Sequence, residues 1–319
     1  MVDSTVRQAT LDDTHAISEL FRSRIDVWQR LDAGGRVETV PYEALTVYQR
    51  WLHGGPWMSV ETAAIHLSRL LSGAGLPLVA QVKGQTLAYA EAYYGNEPLP
   101  FGEHFHLANL VVHPEYAERG LDDALLKALL ERMKARKARH LLVSRVAGNT
   151  EAGTLNEPFA LTPLARERRL SIPARTGQIF YRATEHLNPD PAQINGWYMP
   201  VGRTTSARQQ WETVWHRTWE ALPEIQSQRA HRLKVSAAGQ DAFVCCKQQL
   251  YDPRGADVYC WSPKPLTNQL LSAIRDWAHR EGYRTLSMVV PEDTVKTVGP
   301  DGEPDGYMQD VCAISLTEE

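Results

Sequence analysis

Apolar positions along the first 150 residues change their period several times, and each change marks an element. Thr5–Ala9 alternates as a short strand, and Thr10-Leu11-Asp12-Asp13 then reads as a helix start, with Ile17, Leu20, Phe21 and Ile25 following at helical spacing. A second helix is expected from Ser59 to Leu71, with Ser59 as its N-cap, Ile65, Leu67, Leu70 and Leu71 apolar, and Gly73 and Gly75 ending it. Leu78–Val82, the turn Lys83-Gly84-Gln85 and Thr86–Tyr94 read as a β-hairpin. A Gly/Pro-rich loop (Gly95–Gly102) leads to a strand at His104–Val112, an amphipathic helix at Leu121–Lys137 and a strand at His140–Val146.

The second half repeats this order. Gln178–Thr184 resembles the opening VRQAT, and a helix is expected over Ser206–Leu222 with Trp211, Val214, Trp215, Trp219 and Leu222 on one face. Arg232–Ala237 and Ala242–Leu250 form a hairpin around Gly239-Gln240, followed by a strand at Asp257–Trp261, a helix at Leu266–His279 and a strand at Tyr283–Val290. LLKALLERMKARKARHLLV from Leu125 lies without gaps over LLSAIRDWAHREGYRTLSM from Leu270. Two unrelated amphipathic helices would also look alike, but the preceding hairpins agree too, so the reading is a duplication. The linker is placed near Ile172–Gly177, where Pro173 and Gly177 flank a short polar stretch.

Composition narrows the function without choosing it. The chain has 319 residues, enough for two domains, and 43% hydrophobic against 23% charged residues gives each half material for a core. A net charge of −4 gives no reason to expect a nucleic-acid partner, and the basic run Arg166–Arg169 is read as a solvated helix face. No stretch approaches the ~20 apolar residues that cross a bilayer, so no membrane partner is expected. The opening MVDSTVRQATLDD reads as neither a signal nor a transit peptide, which makes the cytoplasm the expected compartment. Cys245, Cys246, Cys260 and Cys312 lack zinc spacing and are read as reduced, packed thiols, so no metal is expected. Of nine tryptophans, the five from Trp197 to Trp261 are read as core, with a pocket lining as the alternative.

One segment is chemically specific. LANLVVHPEYAERGLDDALL, Leu107–Leu126, resembles motif A of the GNAT N-acetyltransferase superfamily: a strand, a Pro114-Glu115-Tyr116 turn, an Arg119-Gly120 element and a helix. A diphosphate needs convergent backbone N–H donors and the positive end of a helix, and glycine lets that backbone come close. The family loop is Gln/Arg-x-x-Gly-x-Gly/Ala. Here it reads Ala117-Glu118-Arg119-Gly120-Leu121-Asp122, which keeps Gly120 but has Ala117 at the basic position and Asp122 at the last small one. Motif B, Asn-x-x-Ala-x-x-Leu-Tyr-Glu, falls on Asn149, Ala152, Leu155, Asn156 and Glu157, then Ala160 and Leu161; Asn156 replaces the tyrosine that protonates the departing thiolate.

The resemblance implies an α/β (mixed α+β) fold of two tandem GNAT copies, each a mixed, mostly antiparallel sheet flanked by helices, over 1–175 and 176–319. Two-copy members are known, mycothiol synthase among them. It also implies acetyl-CoA or another acyl-CoA as co-substrate, held by Leu110, Val111, Val112, Ala117, Glu118, Arg119, Gly120, Leu121, Asp122 and Asn149. The acceptor would be a small-molecule or peptide amine. Counting back from Gly120 to the strand position where the family often has a base reaches His106, whose ordinary pKa of ~6.5 suits neutral pH, with Glu103 as the second candidate. In the C-terminal copy the loop reads Ser262-Pro263-Lys264-Pro265-Leu266-Thr267, and proline has no N–H to give, so that copy is expected not to bind. The rival reading is a non-catalytic GNAT-fold ligand-binding or assembly protein.

Overall fold

Apolar runs in this chain pair with one another across long sequence separations, and one of the strands they form carries Glu103, His106, Leu110, Val111 and Val112. The computed structural model describes residues 3–32, 34–147 and 159–316. They separate into two compact units. The first holds Met1–Tyr94 and Leu107–Arg136, and the second holds Gly95–His106 and Lys137–Glu319.

In the first unit, β1 (Thr5–Gln8) pairs antiparallel with β4 (Leu76–Val82), and β4 with β5 (Gln85–Glu97), which neighbours β6 (Gly102–Val112). A small ribbon of β2 (Gln29–Leu31) and β3 (Val37–Thr39) stands apart from that sheet. Helices α1 (Thr14–Arg22), α2 (Val47–Trp51) and α3 (Val60–Arg69) precede β4, and α4 (Leu121–Ala135) follows β6. Ser59 caps α3 as expected, its hydroxyl accepting from the Thr62 amide at 3.3 Å. Ile17, Leu20 and Phe21 of α1 and Leu67 of α3 pack with Trp57, Val79, Tyr89, Tyr93 and Val111 in one core. That core lies against one face of the strands.

The second unit contains the repeat. β9 (Tyr181–Glu185) pairs with β11 (Ala230–Ala237), β11 with β12 (Gln240–Gln248), and β12 with β13 (Gly255–Ser262), all antiparallel. That is the pattern of β1, β4, β5 and β6. Both hairpins close on a residue pair at positive φ, Lys83-Gly84 and Ala238-Gly239, as two-residue hairpin turns require. After the short α6 (Pro223–Gln226), helix α7 (Asn268–Arg280) leads to β14 (Thr285–Pro291), as α4 leads to β7 (His140–Val146).

Several elements depart from the pattern reading. Arg166–Arg169 lies in a fifteen-residue strand, β8 (Phe159–Pro173), and not on a helix. Its arginines are taken by acids across the strand: Arg166 by Asp310, Arg168 by Glu292 and Arg169 by Asp305. A last strand, β15 (Glu303–Leu316), lies between β7 and β8, antiparallel to both. The expected helix Ser206–Leu222 stops early, as α5 (Ala207–Val214), and Thr218–Ala221 turns separately. Of the five tryptophans from Trp197 to Trp261, Trp211, Trp215 and Trp261 are fully buried core, with Trp211 and Trp215 stacked 4.3 Å apart, while Trp197 and Trp219 are partly buried. All four cysteines are buried free thiols. No helix among the described residues is long and apolar enough to cross a membrane.

Candidate functional site

The chain leaves β6 through a pinned end, the His113 amide donating to the Leu87 carbonyl at 2.8 Å. Pro114–Tyr116 makes one tight turn, closed by Ala117 and Arg119 amides on the Pro114 and Tyr116 carbonyls. Glu118 at φ 62° and Gly120 at φ 80° then swing the backbone into α4. The Arg119 guanidinium lies 4.8 Å from the Tyr116 ring. Among the described residues, the amides of Glu118, Gly120, Leu121, Asp122 and Asp123 have no acceptor; the last three are the first-turn donors that any helix leaves over. Five amides at one bend, with the positive end of a fifteen-residue helix behind them, suit an anion.

The Asp122 carboxylate makes no hydrogen bond among the described residues. Burial, and then the neighbouring Asp122, raise the Asp123 carboxyl above its ordinary value, with Lys127 opposing them. A cleft of about 670 Å³ adjoins the turn, lined by Leu20 of α1 and Ser23 just past it, by Thr86 and Leu87, and by His113 and Tyr116.

The other expected site residues are placed as follows. Leu110 and Val112 are half-buried on β6, and Val111 between them joins the core. Ala117, Glu118 and Arg119 are exposed, and Leu121 is buried under the loop. His106 is fully buried; its Nε2 is 3.3 Å from Ser144 Oγ, and its Nδ1 has no hydrogen-bond partner among the described residues. Burial, then Arg203 and His104, hold His106 well below the ordinary imidazole value, so the ring is neutral. The Glu103 side chain is exposed, and its carbonyl accepts the Arg139 amide at 2.6 Å. Asn149 lies outside the described residues, as do Ala152, Leu155, Asn156 and Glu157, whereas Ala160 and Leu161 are in β8.

A buried carboxylate in the first unit was not foreseen. Glu91 of β5 is 1% exposed, yet it accepts from Tyr93 Oη at 2.7 Å, Tyr89 Oη at 3.1 Å, Trp57 Nε1 at 3.2 Å and Asn109 Nδ2 at 3.2 Å. His66 Nε2 of α3 lies 3.1 Å away. The signal in the sequence was Tyr89-Ala90-Glu91-Ala92-Tyr93, a lone acid at an inward strand position between two tyrosines. Burial pushes its carboxyl up, but the His66 charge and hydrogen bonds from His66, Tyr93 and Trp57 outweigh that, leaving it below the ordinary value of 4.5. The sign follows: Glu91 stabilises the fold above that ordinary value, and this contribution is lost as pH falls through its lowered folded value. Glu91→Gln should destabilise by about 1–3 kcal/mol at pH 7, since an amide N–H would face donors. In urea titrations it should also lose stability less steeply than the parent on acidification below pH 4.5; an unchanged acid limb would sink this account.

The repeated loop in the second unit is built differently. β13 and β14 pair in parallel only over Gly255–Asp257, and β10 (Tyr198–Val201) pairs with the rest of β13. The Gly202 amide, just past β10, donates to the Val289 carbonyl at 2.7 Å. Gly202 sits at φ +87°, where a Cβ would come 2.6 Å from the Tyr259 ring. Gln240 Nε2 binds Ser262 Oγ at 2.8 Å and the Pro265 carbonyl at 3.0 Å, and Thr267 caps α7 through the Leu270 amide at 3.2 Å. The chain therefore occupies its own strand gap here and caps its own helix.

Residues 42–154 match a family model described as the Acetyltransferase (GNAT) family. The matched stretch contains the Gly120 loop and the Glu91 cluster, and the family it resembles uses acetyl-CoA. Solved GNAT structures share the fold over nearly the whole chain. A GCN5-related N-acetyltransferase from Anabaena variabilis has a TM-score of 0.60 at 10% identity, over 99% of this chain and 73% of that one. A probable N-acyltransferase from Enterococcus faecalis has 0.56 at 11%, over 99% and 73%. A GCN5-related N-acetyltransferase from Kribbella flavida has 0.53 at 14%, over 98% and 71%. No curated protein matches the sequence.

Proposed function

We propose that this chain is an acyl-CoA-dependent N-acyltransferase whose N-terminal copy, 1–175, holds the donor, beside a degenerate copy at 176–319, and that it works in the cytoplasm. The observation that carries the reading is the set of unpartnered amides around Gly120 within the stretch that matches the GNAT family. Acetyl-CoA, when bound, supplies an activated thioester. Amides from Glu118 to Asp122 would hold its diphosphate, with Ala117 and Arg119 flanking it, and Leu110, Val111, Val112 and Asn149 would line its arm. The acceptor is a small-molecule or peptide amine. His106 and Glu103 are the candidate proton acceptors: the first is neutral but its burial and Arg203 oppose protonation, and the second is open to solvent.

A second reading, a non-catalytic GNAT-fold binding or assembly protein, is favoured by the burial of His106 and by the paired acids Asp122 and Asp123 at the loop. Calorimetric titration with acetyl-CoA separates the two. Saturable binding is expected under the transferase reading, and no heat with millimolar cofactor would reject it. Given binding, His106→Ala should abolish turnover while leaving the titration intact; unchanged turnover would move the role to Glu103.

A further inference from the structure

A cavity of about 280 Å³ in the second unit has no part in that reading. Ligand pockets run from about 300 to 1,000 Å³, so this one suits a small molecule. Glu97, Glu167 and Arg203 line it, with Phe101, Tyr198 and several prolines as apolar wall. Arg203, 1% exposed, donates from Nη1 to Glu97 and lies over the Phe101 ring at 3.8 Å. Glu97 also accepts the Ala207 amide at 3.1 Å. Glu167, also 1% exposed, accepts from Gln309 Nε2 at 2.9 Å through one oxygen. Its other oxygen is 3.3 Å from Arg203 Nε but poorly aligned, and it has no hydrogen-bond partner among the described residues.

Two buried carboxyls thus share one guanidinium. His104, 3.4 Å from Glu97, does not make up the difference, because burial above all keeps its pKa below the ordinary value. At the rim, Asp293 adds acid, while Glu292 and Arg166 are already paired, with Arg168 and Asp310 respectively. Arg203 Nη2 also lacks a partner among the described residues, which would suit a carboxylate ligand. Charge decides against that occupant, since Arg203 is already matched by Glu97 and a carboxylate ligand would bring a second anion to the pair.

We propose that this cavity binds a small primary ammonium compound, its charge set against Glu167 and its short apolar body against Phe101 and Tyr198. Burial pushes the Glu167 carboxyl up to about 8, against the pull of Arg203 and Gln309 and with the help of Glu97. The groups around it are Arg203, Glu97 of β5, His104 of β6, Gln309 and Tyr307 of β15, and Glu292 and Asp293 beyond β14. At neutral pH it therefore carries a proton, which balances the cluster until an arriving ammonium takes that proton's place. The carboxyl then gives its proton to solvent, so amine uptake and proton release are linked.

The test is calorimetry on the full chain at pH 7 with butylammonium chloride, in two buffers of different ionisation heat, without acyl-CoA. Saturable one-to-one binding is expected, with close to one proton released per amine, and sodium butyrate should give no saturable heat. Glu167→Gln should weaken binding at least tenfold and abolish the proton release. Absence of saturation, binding without proton release, preference for butyrate, or unchanged binding by Glu167→Gln each overturns the proposal. If that variant does not fold, the proton count of the parent chain decides alone. Because no acyl-CoA is present, failure here and failure of the transferase reading are read separately.

Discussion

A Gly120→Val chain is expected to keep its fold and lose at least a factor of ten in acetyl-CoA affinity, about 1.4 kcal/mol. Gly120 stands at φ 80°, a conformation that costs an L-residue roughly 1–2 kcal/mol, more when the side chain is β-branched. The added side chain also occupies the bend where the amides of Glu118 and Gly120–Asp123 have no acceptor among the described residues. Asp122→Asn is expected to act in the opposite direction. It removes an anion at the mouth of the cradle, so affinity should rise a few-fold, by about 0.5–1 kcal/mol, and less so in high salt. The same change removes a favourable dipole contact, costing α4 about 0.3–1 kcal/mol. Titration calorimetry of both variants, with circular dichroism as the folding control, checks the pair. Parent-like binding by Gly120→Val would leave the loop as inherited architecture only.

The largest effect on stability is expected from Arg203→Met. The side chain length is kept, but the Glu97 carboxylate loses the one buried cation that compensates it. Breaking a buried pair from one side costs about 3–5 kcal/mol, far more than the pair is worth against an apolar replacement. The stacking of the guanidinium on Phe101 is lost with it. Arg166→Ala is the contrast: its pair with Asp310 is solvent-exposed, and no resolvable change is expected. Urea denaturation of the two variants measures both. Equal stabilities would show that the buried cluster contributes no more than a surface pair.

The repeated helices were located by period, each with one face against a core, whereas β4, β5 and β12 showed as apolar runs because both their faces are buried. β7 was read to its residue bounds, and α3 was found through the Ser59 cap, an interaction confined to a few neighbouring residues. β8 and β15 were missed for the opposite reason. Glu167 and Gln309 stand at inward positions among Leu170, Ile172, Val311 and Ile314, and these polar residues, bonded to each other across the fold, interrupt the apolar alternation. α5 was extended too far because Trp219 and Leu222 fall at helical spacing, whereas the chain leaves the helix after Val214. Within the candidate site, the Gly120 loop was legible because it depends on backbone and spacing. The Glu91 cluster was not: His66, Trp57 and Asn109 come to it from separate elements, and no local pattern joins them.

The position of β15 has a consequence for synthesis. β7 and β8 are both finished while the residues that will separate them have yet to be translated. A nascent chain at that stage carries two unsatisfied strand edges, one of them the largely apolar His140–Val146, and such edges recruit other chains. The arginines of β8 add charge beside those edges and repel copies of themselves, a safeguard during the wait that becomes a set of ion pairs once Asp305 and Asp310 arrive.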